Sequence, residues 1–106
     1  MADHNKSFSM ALAAQINAQL AQLTNRQQYW DDAIRHAQQL TRRDPNSIGA
    51  WRRLADILWM RGDHHQAAAA YQRALECDRN FELDEFKQLS ERERAAIIER
   101  IKEATR

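Results

Sequence analysis

Apolar residues recur every three or four positions along most of this chain, which is the spacing that places them on one face of an α-helix. The first such run predicts a helix that ends near Thr24. Ser7 or Ser9 is placed to cap its start, because a serine side chain can accept a hydrogen bond from a free backbone N–H group of the first turn. The apolar residues on one face of this helix are Leu12, Ile16, Leu20 and Leu23.

The few residues that break helices mark the turns between the next segments. Pro45 ends one helix, because proline disfavours helical geometry in the residue before it. Ser47 is placed to cap the following helix, and Gly62 can end that helix in a left-handed conformation. The helices predicted around these turns span residues 29–43, 48–61 and 63–77.

The pattern changes towards the C-terminus. Ser90 with Glu93 three residues later is a capping-box signature, which predicts a new helix to about Thr105. The isoleucines predicted to face inward are Ile97, Ile98 and Ile101, and the opposite face of this helix is charged. A short apolar stripe precedes it, made of Leu83, Phe86 and Leu89. With that stripe counted as a short helix, the chain is predicted to be all-α, with six helices.

Two stretches of the chain match each other at an offset of 34 residues. The aligned pairs include Ala33 with Ala67, Asp44 with Asp78, and Asn46 with Asn80. The second stretch also has Trp51, Leu54, Ala55 and Leu58, followed by Gly62, Ala67, Tyr71 and Ala74. This period and these residues resemble a tetratricopeptide repeat, and the first stretch keeps the same spacing with fewer of the residues.

The resemblance implies antiparallel helical hairpins stacked as a short α-solenoid. We expect a single domain over residues 1–106. Its predicted parts are an N-terminal extension of the first helix (1–13), a first repeat (14–47), a second repeat (48–81) and capping helices (82–106). A polar outer helix is expected at one end, because each hairpin leaves an apolar flank that is unfavourable in water.

Charge and cysteine content narrow the classes of function. The chain has 16 Lys and Arg against 15 Asp and Glu, a net charge of +1, so no overall positive field attracts nucleic acid or an acidic membrane. The single cysteine, Cys77, cannot form an intramolecular disulfide, and the first ten residues lack a cationic segment followed by an apolar stretch. No segment approaches the ~20 apolar residues that span a bilayer. These features predict a cytoplasmic protein.

The sequence contains no recognisable catalytic pattern. Its histidines are His4, His36, His64 and His65, and none of their spacings places two metal ligands on one helical face. The chain has neither a glycine-rich phosphate loop nor a Gly-x-Ser-x-Gly sequence. We therefore expect no enzymatic activity, no cofactor and no metal. A weak surface metal site around the His64-His65 turn is the alternative.

The resemblance also implies a binding surface, because the first helix of each tetratricopeptide repeat lines a concave groove for peptides. The expected partner-binding residues are Gln22, Asn25, Arg26, Arg52, Asp56, Trp59 and Met60, with Gln15 and Ala18 on the same surface. Arg52 can take a carboxylate, and Trp59 with Met60 can supply an apolar anchor. The Lys and Asn set with which some family members grip a C-terminal carboxylate is not reproduced. In the alternative interpretation, Trp59 packs under the C-terminal helices.

These expectations favour an adaptor or chaperone-like module that binds a peptide or a helix of a partner protein. One alternative is a self-associating structural module without a separate ligand. Such a homodimer would be joined through the N-terminal helix (Phe8, Leu12) or through Trp59 and Met60. Another alternative is nucleic-acid binding through a patch made of Arg42, Arg43, Arg52 and Arg53.

Overall fold

The computed structural model describes residues 2–80 and 89–105, and within these it describes the side chains of residues 9–79 and 89–105. The described residues form five helices. They are α1 (Ala2–Thr24), α2 (Gln27–Arg43), α3 (Ile48–Arg61), α4 (His64–Asn80) and α5 (Glu91–Ala104). The predicted all-α fold is confirmed, whereas the predicted short helix at Leu83 and Phe86 lies outside the described residues.

The start of α1 differs from the prediction. The helix begins at Ala2, so the proposed cap at Ser7 or Ser9 is wrong and both serines lie inside the helix. Residues 2–24 contain neither glycine nor proline, so no helix-breaking residue prevents α1 from beginning at Ala2.

α2 begins at Gln27 and not at the predicted residue 29, and α4 runs beyond its predicted end at residue 77, to Asn80. The helix ends predicted at Ser47, Gly62 and Ser90 are confirmed by their backbone and side-chain geometry. The Ser47 hydroxyl accepts a hydrogen bond from the Ala50 backbone N–H at 3.1 Å and caps α3. Gly62 ends α3 with a φ of 102°, a left-handed conformation that glycine adopts without steric cost. In the capping box of α5, the Ser90 hydroxyl accepts from the Glu93 N–H, and the Glu93 carboxylate accepts from the Ser90 N–H, both at 3.1 Å. These ends were predictable because each depends on residues close in sequence.

The helices pack as consecutive antiparallel pairs, α1 with α2 and α3 with α4, and α5 packs on α4. The smallest dimension of the protein is 19 Å, which is the thickness of two helices at ~10 Å each. The contacts of α3 with α1, and the grooves that α3 lines with α1 and with α5, place α1, α3 and α5 in one layer, and the other layer contains α2 and α4. Small residues dominate the contacts and let the helix axes approach closely. The fully buried alanines are Ala14, Ala21, Ala33, Ala37, Ala55, Ala67 and Ala74.

The alanines decide which side of α1 is buried. Ala14, Ala18 and Ala21 form the face that packs into the core. The larger aliphatic residues on the opposite face are exposed to solvent, with exposed fractions of 46% for Leu12, 46% for Ile16, 36% for Leu20 and 83% for Leu23. The most apolar face of α1 is thus an outer surface of the protein.

The C-terminal helix α5 buries two of its three predicted isoleucines. Ile97 is buried and Ile101 is packed against the core, as their four-residue spacing requires. Ile98 is 38% exposed, and its predicted inward orientation is therefore wrong. The next residue along a helix is turned by about 100°, and here that rotation takes Ile98 out of the contact that buries Ile97.

Candidate functional site

A groove of about 470 Å³ lies between α1 and α3, which are neighbours in the first layer. The α1 side is lined by Gln15, Ala18, Gln19 and Gln22, and the α3 side by Gly49, Arg52, Arg53, Asp56, Ile57 and Met60. The structure thus brings together Gln22, Arg52, Asp56 and Met60 from the predicted partner-binding set, together with Gln15 and Ala18. Amide side chains dominate one wall, and charged and apolar side chains alternate on the other.

A single contact links the two walls at one end of this groove. The Gln22 Nε2 donates a hydrogen bond to the Met60 sulfur at 3.1 Å. A thioether is a weak acceptor, so a stronger acceptor such as a peptide carbonyl would replace it readily. Ala18 and Ile57 are buried at the floor, which gives the groove an apolar base beneath the amides.

A second groove of about 330 Å³ runs along the other side of α3, between this helix and α5. Arg52, Asp56 and Met60 line both grooves, so α3 forms the ridge between them. The far wall of the second groove consists of Ala96, Ile97 and Arg100 of α5. Two grooves therefore run along α3, on either side of it.

Arg52 is already engaged by α5. Its guanidinium forms an ion pair with the Glu93 carboxylate. The pKa of Glu93 is held below its usual range, chiefly because the carboxylate accepts a hydrogen bond from the Ser90 backbone N–H, then from the Ser90 hydroxyl and from Arg52. A ligand carboxylate that approaches Arg52 would have to compete with this ionised group of the chain itself.

Asp56 belongs to a closed polar cluster. Its carboxylate accepts hydrogen bonds from the Tyr71 hydroxyl and, at 3.2 Å, from the Arg100 guanidinium, which also donates to the Tyr71 oxygen. Burial raises the pKa of Tyr71 most, and the neighbouring Asp56 carboxylate raises it further. The cluster connects α3, α4 and α5 and fixes the orientation of Asp56 between the two grooves.

Trp59 packs beside His64 and Arg100 and not in the predicted groove. Its ring stacks on that of His64 with the centroids 3.9 Å apart, and the Arg100 guanidinium lies 5.1 Å from the Trp59 ring centre. It lines neither groove. These contacts favour the alternative interpretation, in which the C-terminal helix covers Trp59, and a role of Trp59 in partner binding stays a prediction.

Asn25 and Arg26 lie at the end of the site and not within it. They form the turn between α1 and α2, where Asn25 adopts a φ of 54° and Arg26 precedes the first residue of α2. Both side chains are exposed, and neither lines the groove.

The family model of the tetratricopeptide repeat matches residues 19–80, which is more than half of the chain. The matched segment runs from the last turns of α1 through the whole of α4. The chain belongs to the tetratricopeptide repeat family. No curated protein and no solved structure matches it. Tetratricopeptide repeats are in general protein–protein interaction modules, so protein partners are expected from the family alone.

The structure adds groove residues that the tetratricopeptide resemblance did not supply. They are Gln19, Gly49, Arg53 and Ile57. Gln19 and Arg53 stand 34 positions apart and are therefore equivalent in the two repeats. Gln19 also follows Gln15 by one helical turn, and this spacing could have identified it. Arg53 is half-buried and donates a long hydrogen bond of 3.5 Å to the Ala11 carbonyl.

Two of the four arginines of the predicted patch line the groove. Arg52 and Arg53 line the groove, and Arg52 is paired with Glu93, whereas Arg42 and Arg43 occupy the last turn of α2.

None of the helices in the described part of the chain combines the length with the apolar content that a bilayer crossing requires. Residues 2–80 and 89–105 also hold no group of three or more His, Cys, Asp or Glu that could bind a metal ion.

Proposed function

We propose that this protein is a cytoplasmic adaptor or chaperone-like module that binds an extended peptide or a helix of a partner protein in the groove between α1 and α3. Protein binding in general follows from the tetratricopeptide repeat family. The use of this groove is supported by its position on the first helix of each repeat and by its chemistry. Gln15, Gln19 and Gln22 offer donors and acceptors to a peptide backbone above the apolar base.

The observation that carries the proposal is Gly49. Glycine in the interior of a helix lowers stability by up to about 1 kcal/mol relative to alanine, and Gly49, as the second residue of α3, carries a smaller cost of the same kind. A Cβ atom at this position would meet only the Ser47 hydroxyl at 3.8 Å, which is an ordinary contact, so the fold itself does not require glycine there. The missing side chain leaves the groove open beside the first turn of α3. An open groove at this cost to the helix is consistent with a site that admits a ligand.

A selection of peptides tests the proposal and requires no identified partner. Peptides that bind the wild-type chain are selected from a displayed random library, synthesised with a fluorescent label, and measured by anisotropy. Gly49→Leu places a side chain in the groove and should weaken binding at least about tenfold through steric exclusion. Ala69→Leu is the matched control, because Ala69 is exposed on α4 and does not line the groove.

The results separate this function from its alternatives. The proposal that peptides bind in the groove would be contradicted by a library that gives no binders. It would also be contradicted by peptides that bind Gly49→Leu and Ala69→Leu equally well.

Nucleic-acid binding has less support, because Arg52 is engaged by Glu93 and the net charge is only +1. A labelled single-stranded oligonucleotide in the same assay measures it directly.

A further inference from the structure

The exposed side of α1 has an unusual concentration of large aliphatic residues. Leu12, Ile16, Leu20 and Leu23 account for four of the six exposed large hydrophobic residues of the described chain. Their spacing of four, four and three residues places them on one stripe, opposite the alanines that face the core. We call this set the α1 stripe. It is separate from the groove, which is lined by other α1 residues.

The α1 helix places no charge of its own beside the α1 stripe. Residues 7–25 contain no Asp, Glu, Lys, Arg or His, so the polar side chains that α1 contributes around the stripe are neutral. The Arg53 guanidinium of α3 reaches α1 on the groove side, where it donates to the Ala11 carbonyl. A charged partner surface would find no complementary charge here and would lose hydration on contact. A second neutral apolar surface would meet neither repulsion nor this penalty.

The two ends of the helical array differ in the polarity of their outer surfaces. At one end, α5 covers α4 and presents exposed charged residues outward, among them Glu91, Arg92, Glu99 and Lys102. At the other end, α1 presents the stripe. Repeat arrays need a polar outer surface at both ends, because an apolar flank favours association.

We propose that the α1 stripe is the interface of a symmetric homodimer in which α1 of one copy packs against α1 of the other. Leu12, Ile16 and Leu20 are each one helical turn apart and form a ridge along the helix. Two such ridges interdigitate at a crossing angle of about −50°. The same surface then serves both copies, as a two-fold axis requires, and the neutral border is compatible with itself.

Head-to-tail association is the competing arrangement. It would place the α1 stripe of one copy on the outer face of α5 of the next, and the charged side chains there would be desolvated without partners. Such a contact also leaves a free stripe at the end of every assembly and leads to open filaments. The charge distribution therefore favours the closed dimer.

Sedimentation equilibrium of the full chain tests the dimer. The wild type should sediment as a dimer at tens of micromolar. Ile16→Lys/Leu23→Lys should raise the dimer dissociation constant at least about 100-fold, because it places charge in an apolar contact on both copies. Ile16→Gln/Leu23→Gln removes the apolar surface without adding charge and should act in the same direction. Neither residue is part of the core, and circular dichroism checks that the helices are retained.

Ile98→Lys is the matched control, since Ile98 is an exposed isoleucine of similar accessibility on α5. It should leave the dimer intact. Three results would each overturn the proposal: a wild type that stays monomeric at several hundred micromolar, stripe variants that dimerise like the wild type, or dissociation caused by Ile98→Lys. Species that grow beyond the dimer with concentration would also overturn it, because they would indicate open association.

Discussion

Arg94 of α5 and Asp78 of α4 form an ion pair in which Nη2 and Nε of Arg94 lie 2.8 and 3.0 Å from the same carboxylate oxygen. The other oxygen of Asp78 accepts a hydrogen bond from the Leu89 backbone N–H at 2.6 Å. Asp78 is only 3% exposed, so its charge depends on these partners. The carboxylate therefore fixes both the entry of the chain into α5 and the first turns of that helix, and through them the far wall of the second groove.

Replacing Asp78 should weaken the attachment of α5. We expect Asp78→Ala to lower the free energy of unfolding by about 2–3 kcal/mol, because it leaves the Leu89 N–H and the Arg94 guanidinium without their acceptor. Urea denaturation measures the change. Asp32→Ala is the control, since Asp32 pairs with Arg35 at the surface at 3.0 Å and such pairs contribute at most about 1 kcal/mol. Equal losses in the two variants would show that the buried pair does not hold α5.

Tyr71 should make the protein sensitive to alkali. Its raised pKa means that the folded protein keeps a proton that the unfolded chain releases near the ordinary value of 10.0. Stability is therefore fully present below pH 10 and falls as the pH rises further, with a slope that approaches about 1.4 kcal/mol per pH unit. Tyr71→Phe should flatten this slope relative to the wild type in urea denaturation between pH 8 and 11.

Tyr29→Phe removes the other tyrosine hydroxyl, outside the cluster of Asp56, Tyr71 and Arg100, and is the control for Tyr71→Phe. If both variants kept the wild-type slope, the Tyr71 proton would not be linked to folding. Tyr71→Phe should also be less stable than the wild type at pH 7, because Asp56 loses a hydrogen-bond donor.

The capping box of α5 should produce the opposite dependence in acid. The pKa of Glu93 is depressed in the folded state, so its contribution to stability is present above the ordinary value of 4.5 and is lost as the pH falls. Glu93→Gln should melt below the wild type at pH 7, and the difference in Tm should shrink at pH 3. Glu99→Gln, an exposed residue of the same helix, controls for net charge. A difference that grows in acid would contradict the assigned direction.

The sequence predicted three helix ends correctly because each of them has a local cause. Ser47, Gly62 and Ser90 act on backbone groups within one turn, and hydrogen bonds of this range follow from the residue order. The buried face of α1 was harder to predict. Hydrophobic periodicity singles out the leucines, whereas close approach to α2 requires small side chains, and the alanines meet that requirement.

For the candidate site, too, the sequence predicted what depends on a single helix and not what depends on packing between helices. Helical spacing placed Arg52, Asp56 and Trp59 on one face of α3, with Met60 beside it. Of these residues, Trp59 alone does not line the groove. Helical spacing could not predict the partners that α5 supplies, because Glu93 is 41 positions from Arg52, and Arg100 is 44 positions from Asp56. Those contacts depend on the tertiary position of α5, which Asp78 and the capping box establish. For the same reason, the expected role of Trp59 as an apolar anchor did not anticipate the Arg100 guanidinium over its ring.

The two glycines of the chain should respond to alanine in opposite ways. Gly62 has a φ of 102°, a region that alanine enters only with strain, so Gly62→Ala should destabilise the protein by about 1 kcal/mol. Gly49 is the second residue of α3 and has room for a methyl group, so Gly49→Ala should stabilise the protein by up to about 0.5 kcal/mol through helix propensity. Thermal unfolding of both variants shows whether each substitution raises or lowers the stability of the protein. A loss of stability in Gly49→Ala would mean that the fold itself needs this glycine, and would remove the argument that its side chain is absent for the sake of a ligand.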